Sequence, residues 1–371
     1  MFAQLFASND ITLTVLQWSL LAVLTLLICT VLGVFLMRLR NNRIEKLMGE
    51  YVSVFEGLAN QDYSSSEKTS TIQTILPRRA FPLFERFLRK QAVINSDSAE
   101  NSYLRVAELS GFLKQYRRTA AVSNGWKQAM ALRMLTYLPN SADISLYNDV
   151  IDRKTFYPSL YCAAIGLAHC KDVGSFSRNI KKLCAVKADN RDDVLTILAA
   201  FGVCICPVVL TCLVEFSPST QTVCIDFLRL HRYMSARKTL EEFALNTKNL
   251  EVRIHAIEAL GTCGNSDSLT IVEPFLKNED FRIRIKTVVT LSQIGGREYL
   301  PLLLPMLEDP DWWVRRNTAE AIYAQSDEGV AKLESFVHEV NTARGRMARM
   351  VIAEWTHGRK RWRYRFAESF S

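Results

Sequence analysis

Aligned with itself at an offset of 31 residues, the chain comes into register over three stretches near its C-terminus without a gap. Asn249, Asp280 and Asp311 coincide, as do Val252-Arg253, Ile283-Arg284 and Val314-Arg315, then Leu260, Leu291 and Ile322. Further along, Ile271, Leu302 and Leu333 align, Pro274 matches Pro305, and Leu240 carries the register back one more unit. An Asn or Asp before each apolar run offers a side-chain oxygen to the free N–H groups of a first helical turn. The apolar positions, three and four residues apart, form one stripe to be buried. Gly264 and Gly295 suit the turn into a second helix. So short a unit cannot bury its stripe alone and must stack on neighbours, which predicts an all-α solenoid. Upstream, Gly125–Leu138, Pro158–His169, Asp192–Gly202 and Thr222–Leu230 fit weaker first helices. Between about residues 103 and 340 this gives six or seven helix pairs.

A second feature stands apart from the repeats. From Ile11 to Met37 there is no charged residue, a length sufficient for a helix to cross a bilayer. A cleaved signal peptide is disfavoured because no basic segment precedes the run and no small-residue cleavage site follows it. Asp10 is the one charge before the span, whereas Arg38, Arg40, Arg43 and Lys46 follow it closely, which places the C-terminal side in the cytoplasm. Asn41–Gly57 reads as a helical continuation and the polar stretch Asn60–Thr71 as a linker. Pro77–Asn95 then sets Phe81, Leu83, Phe84, Phe87 and Leu88 against Arg78, Arg79, Arg86, Arg89 and Lys90. Such a helix either caps the solenoid with its apolar stripe or lies on the cytoplasmic leaflet. The predicted organisation is a short extracytoplasmic N-terminus at 1–10, a transmembrane helix at 11–37, a juxtamembrane helix, linker and basic amphipathic helix over 38–100, the solenoid at 101–340, and a capping helix with a basic aromatic tail over 341–371.

Charge narrows the function. The formal net charge is +8, but +6 of it falls between Asn341 and the end, and Arg38, Arg40, Arg43 and Lys46 against Glu45 add +3. The rest of the chain is close to neutral. A groove following a phosphate backbone needs cations spread along the array, so nucleic acid is an unfavoured partner. The nine cysteines, at 29, 162, 170, 184, 204, 206, 212, 224 and 263, lie mostly in apolar helical runs and read as reduced core thiols. Cys204, Cys206 and Cys212 have no histidine nearby and fit no zinc spacing.

The core D-x-x-V-R-x-x-A-x-x-A-L, present as NLEVRIHAIEAL and DPDWWVRRNTAEAI, resembles HEAT repeats, in particular the short form found in phycobilin-lyase-like proteins. That resemblance implies a structural role for the ladder of Asn249, Asp280 and Asp311 with Arg253, Arg284 and Arg315, tying consecutive repeats together. The order of span, basic aromatic helix, weak repeats, DPDWWVRRNTAEAI and a last helix ending in MVIAEW is similar to bacterial inner-membrane HEAT-repeat proteins often encoded beside a family 2 glycosyltransferase. The implied function is a scaffold in envelope or exopolysaccharide assembly, with a membrane glycosyltransferase as partner. The alternatives are an adaptor of another envelope complex and, from a different class, a bilin-lyase-like enzyme.

The residues themselves do not suggest catalysis. Histidines 169, 231, 255, 338 and 357 occur singly, and the chain has neither a G-x-S-x-G elbow nor a phosphate-cradling glycine loop. No catalytic residue, cofactor or metal is expected. Binding residues are sought where one repeat departs from its sisters. Trp313 stands where they have Glu251 and Arg282, and Arg316 where they have Ile254 and Ile285, so this pair is the candidate anchor for a protein partner. Trp312 replaces Leu250 and Phe281 and is expected to be packed between helices. A second candidate surface joins Arg344, Arg346, Arg349, Arg359, Lys360, Arg361, Arg363 and Arg365 with Trp355, Trp362, Tyr364 and Phe366, a combination suited to anionic lipid or a membrane-bound protein.

Overall fold

One helix, α1, runs from Phe2 to Ala59, so the apolar segment and the polar stretch after it form a single rod of roughly 87 Å. The computed structural model to which it belongs describes residues 2–59, 76, 80–94, 100–153, 156–185, 191–295 and 299–356, and every regular element among them is helical. Within α1, Leu20–Leu39 has a mean hydropathy of 2.8 and no buried side chain. The helix starts well before Ile11, and the linker expected at Asn60–Thr71 lies outside the described residues.

The chain divides into two units, Met1–Leu146 and Tyr147–Ser371. In the first, α2 (Phe81–Ile94), α3 (Glu100–Leu109), α4 (Phe112–Val122) and α5 (Gly125–Thr136) accompany α1. Phe81 and Phe84 meet Phe112 edge-on, with ring centroids 5.2 and 5.1 Å away, and Phe87 meets Tyr103 at 5.3 Å. The aromatic face of α2, Phe81, Phe84 and Phe87, is therefore buried within its own unit. Contacts group α3 to α5 with α1 and α2 in the N-terminal unit. Tyr116 donates to Glu85 at 3.1 Å, and burial followed by that carboxylate holds its phenol well above the ordinary range. Arg86 pairs with Glu45 of α1 at 3.5 Å.

Helix α6 (Ile144–Asp152) lies at the division. After it, helices alternate as the repeat predicts: α7 (Tyr157–His169) with α8 (Val173–Leu183), α9 (Arg191–Phe201) with α10 (Cys206–Cys212), and α11 (Pro218–Leu230) with α12 (Arg237–Asn246). Then come α13 (Leu250–Cys263) with α14 (Ser266–Val272), α15 (Phe281–Ile294) with α16 (Tyr299–Leu303), α17 (Trp312–Gln325) with α18 (Asp327–Phe336), and a last helix α19 (Ala343–Thr356). The four upstream first helices read from sequence appear as α5, α7, α9 and α11, although α5 falls in the first unit. From α7 to α19 each first helix packs on the next in a continuous row, with Val252, Ile257, Val288, Leu291 and Ile322 buried along α13, α15 and α17.

Local sequence sets the second helices. Pro274 and Pro305 have no N–H to continue an α-helical ladder, so α14 and α16 tighten into 3-10 segments at Glu273–Lys277 and Leu304–Glu308. Gly295 ends α15 with φ of 86°, a conformation costly to any residue with a Cβ. Gly264 is needed for another reason, because a Cβ there would fall 2.4 Å from the Leu260 carbonyl oxygen. The run Arg191–Glu215 is nearly as apolar as Leu20–Leu39, at a mean hydropathy of 2.7, but Gly202 (φ 70°) breaks it into the two helices of one repeat. All nine cysteines are free. Cys184, Cys206, Cys224 and Cys263 are buried as expected, whereas Cys29 and Cys204 are exposed. Burial first, and Cys204 nearby, push the Cys206 thiol up to about 11.

Candidate functional site

The ladder residues occupy the N-terminal edges of α13, α15 and α17. Asn249 accepts from the Val252 N–H at 3.1 Å, Asp280 from Arg282 at 2.8 Å, and Asp311 from Trp313 and Val314 at 2.8 and 3.3 Å. All three are helix caps, as the register predicts. Asp280 also takes the Arg282 guanidinium, which holds its carboxyl below the ordinary range.

The arginines fold back onto the preceding turn. Arg253 donates to the Thr247 carbonyl, Arg284 to those of Asn278 and Glu279 at 2.8 and 3.0 Å, and Arg315 to those of Asp309 and Pro310 at 2.7 and 2.9 Å. Among the described residues, Arg284 alone of the three reaches the next repeat through its side chain, in a bidentate pair with Asp309 at 2.8 and 2.9 Å. The implied ladder is corrected here: its carboxylate is Asp309, two residues before Asp311, while Asp280 and Asp311 serve as caps. A further column explains why. Thr247, Asn278 and Asp309 share the 31-residue register, and each side chain accepts the N–H two residues on, at 3.3, 3.0 and 2.8 Å. At Asp309 that turn leaves a carboxylate facing the Arg284 guanidinium.

Trp312 and Trp313, at the first turn of α17, meet edge-to-face with centroids 4.7 Å apart. Trp313 is 46% exposed, in line with the expectation, but Trp312 is 37% exposed and not packed between helices. The reason is positional. Leu250, Phe281 and Trp312 each begin a helix at the edge of the row, and Phe281 is exposed as well. The edge thus carries an aromatic strip from Phe281 to the two tryptophans, wider than the single residue singled out from sequence.

Arg316 does not belong to that strip. Its guanidinium turns inward to Glu320 at 3.0 Å and Glu354 of α19 at 2.9 Å, with the Met350 sulfur at 3.8 Å, and it lies over the Trp312 ring. With these contacts Arg316, a candidate partner contact from sequence, clamps α19 onto α17. The in-register Ile254 is itself buried, so the apolar column already marked position 316 as inward-facing.

The basic C-terminal group also divides. Arg344 pairs with Glu339 at 2.6 Å and lies over Phe336, Arg346 donates to the Asn341 carbonyl at 3.2 Å, and Arg349 to those of Val337 and Val340 at 2.6 and 3.2 Å. These three fasten the start of α19, as the ladder arginines do for earlier helices. Arg359, Lys360, Arg361, Arg363 and Arg365 lie outside the described residues. Trp355 lies tilted against Tyr323, with ring centroids 5.0 Å apart.

His255, which stands singly in the sequence, has close partners in space. Its Nδ1 lies 2.8 Å from Asp226, which takes Arg191 at 2.6 Å, and Glu258 beside it takes Lys286 at 2.6 Å. These partners come from four successive first helices, so the chain of ion pairs laces α9, α11, α13 and α15. Their separations of about 30 residues follow from the repeat, which was the signal available in the sequence. Among the described residues no group of three or more His, Cys, Asp or Glu could hold a metal ion.

The family description "HEAT repeats" matches residues 237–323 and again 272–351, the stretch from α12 into α19. No curated protein matches the chain. Among solved structures, human deoxyhypusine hydroxylase in complex with glycerol is 16% identical, with a TM-score of 0.28 over 66% of this chain and 96% of that one. The crystal structure of an engineered protein is 15% identical, with a TM-score of 0.36 over 84% of this chain and 98% of that one. Residues 237–351 thus match HEAT repeats, a kind of array that commonly serves protein–protein interaction, and every regular element among the described residues is helical.

Proposed function

We propose that the chain is a non-enzymatic, membrane-anchored scaffold. In this reading Leu20–Leu39 crosses the bacterial inner membrane, the HEAT repeats stand in the cytoplasm, and the edge bearing Phe281, Trp312 and Trp313 binds a protein partner. The observation that carries it is the state of Leu20–Leu39, a helical stretch of 20 residues with a mean hydropathy of 2.8 whose side chains are not buried among the described residues. Leaving that surface in water would forgo roughly 25 cal/mol for every Å², and a bilayer removes the cost without any further folding. Basic residues after the span orient it with the repeats inside. The resemblance in residue order supplies the partner: a membrane glycosyltransferase of envelope or exopolysaccharide assembly.

Two outcomes are expected. The full chain resists alkaline carbonate extraction from membranes, and a reporter fused after Ser371 is active only in its cytoplasmic form; periplasmic activity would reverse the topology. Trp313→Glu changes stability by no more than about 1 kcal/mol, the scale of the aromatic pair it removes, yet weakens capture of the co-expressed glycosyltransferase at least tenfold, as loss of an interface anchor does. Unchanged capture removes the tryptophan edge from the interface.

A further inference from the structure

The first unit contains a surface of unusual composition. From Ser110 to Ala142 there is no acidic residue, while Lys114, Arg117, Arg118, Lys127 and Arg133 are basic. This segment is the hairpin of α4 and α5. Arg117 turns back to Asp143, 2.5 Å away, and Glu108. Lys114, Arg118, Lys127 and Arg133 all lie on the exposed side. Between them the hairpin tip presents Val122, 77% exposed, and Trp126, 69% exposed, with Met130 exposed one turn further along α5. Residues 114, 118 and 122 fall four apart on α4, and 126, 130 and 133 fall four and three apart on α5, so Lys114, Arg118 and Val122 share one face of α4 and Trp126, Met130 and Arg133 one face of α5, with Lys127 exposed beside Trp126.

We propose that this hairpin docks on an anionic lipid surface, with Trp126, Val122 and Met130 at the headgroup level and Lys114, Arg118, Lys127 and Arg133 on the lipid phosphates. Tryptophan is favoured at the interface because its ring is apolar and its N–H polar. The absence of carboxylates over 33 residues removes the repulsion such a surface would otherwise meet. Placement within the unit agrees. Glu45, which pairs with Arg86, is six residues beyond Leu39, about 9 Å along α1. Glu85, next to Arg86, holds Tyr116 in α4. This chain of contacts keeps α4 close to where the apolar helix ends. The proposal rests on Leu20–Leu39 as the anchor, which presents the hairpin to the leaflet that the apolar helix enters.

The test uses the full chain in nanodiscs whose lipids carry bromine in their acyl chains, made with phosphatidylcholine alone or with added phosphatidylglycerol. Emission of Trp126 is taken as the difference between the protein and its Trp126→Phe variant. Quenching of that component with phosphatidylglycerol, and its loss in high salt, is expected. The combined Lys114→Gln, Arg118→Gln and Lys127→Gln variant weakens docking about a hundredfold, since each basic residue near the surface contributes about fivefold. A Trp126 component that is equally unquenched in both lipids overturns the proposal, as does its protection by a short RNA in place of lipid. Carbonate extraction of the same protein separates the two readings. Retention with unquenched Trp126 overturns the hairpin proposal and leaves the anchor, whereas release overturns the anchor and the placement that depends on it.

Discussion

Arg284→Ala is expected to destabilise the C-terminal repeats by about 3–5 kcal/mol, the range for removing one partner of a buried ion pair. Two groups of interactions fail together. The bidentate pair with Asp309, at 2.8 and 2.9 Å, leaves a carboxylate only 5% exposed without its counter-charge. The carbonyls of Asn278 and Glu279, at the end of a 3-10 segment, lose the guanidinium that caps them. The pair itself keeps Arg284 firmly protonated, above the ordinary arginine range. Because a repeat array unfolds through its weakest interface, the measurement is hydrogen exchange resolved by helix, with α15 and α17 opening before α11. Asp309→Asn retains acceptors for the turn but not the charge and should cost less. If Arg284→Ala costs under about 1 kcal/mol, apolar contacts alone hold that interface and the rung is dispensable.

What could be read from sequence followed the range of the interactions. The 31-residue register located the first helices, the caps Asn249, Asp280 and Asp311 and the prolines that tighten α14 and α16, because each depends on neighbours within a few residues. Which carboxylate meets Arg284 was not legible in the same way. Asp309 and Asp311 both stand at the turn, and only their opposite directions in space separate them. The column of Thr247, Asn278 and Asp309 offered a clue, since all three are short side chains able to accept a local N–H. Least accessible was the pairing of Phe81 and Phe84 with Phe112 and of Phe87 with Tyr103, a choice of partners that helical periodicity does not encode. Of the candidate site, the exposure of Trp313 was foreseen and that of Trp312 was not. A residue at the first position of a helix lies at the edge of the row even when its column is apolar.

Arg316→Ala should release α19 at a cost of about 2–3 kcal/mol, below the full value for a buried pair because Glu354 retains access to water. Arg316 is bound on two sides, to Glu320 four residues on in its own helix and to Glu354 across the interface. Glu320 is the costly member, being buried and facing the helix that its partner holds in place. The sister repeat shows how the same place is filled without charge. In register with Arg316 and Glu320 stand Ile285 and Val289. The double variant Arg316→Ile with Glu320→Val therefore places at these positions the apolar pair that stands in register one repeat earlier, and it should be more stable than Arg316→Ala although it changes more atoms. Exchange rates of amides in Ala343–Thr356 distinguish the cases: fast in the single variant, slow in the double. Equal rates would mean that α19 is held by Met347 and Val351 and that the charges only fill space. In either case the result separates position 316 from position 313, where a large change in side chain is expected to alter binding and leave the helix in place.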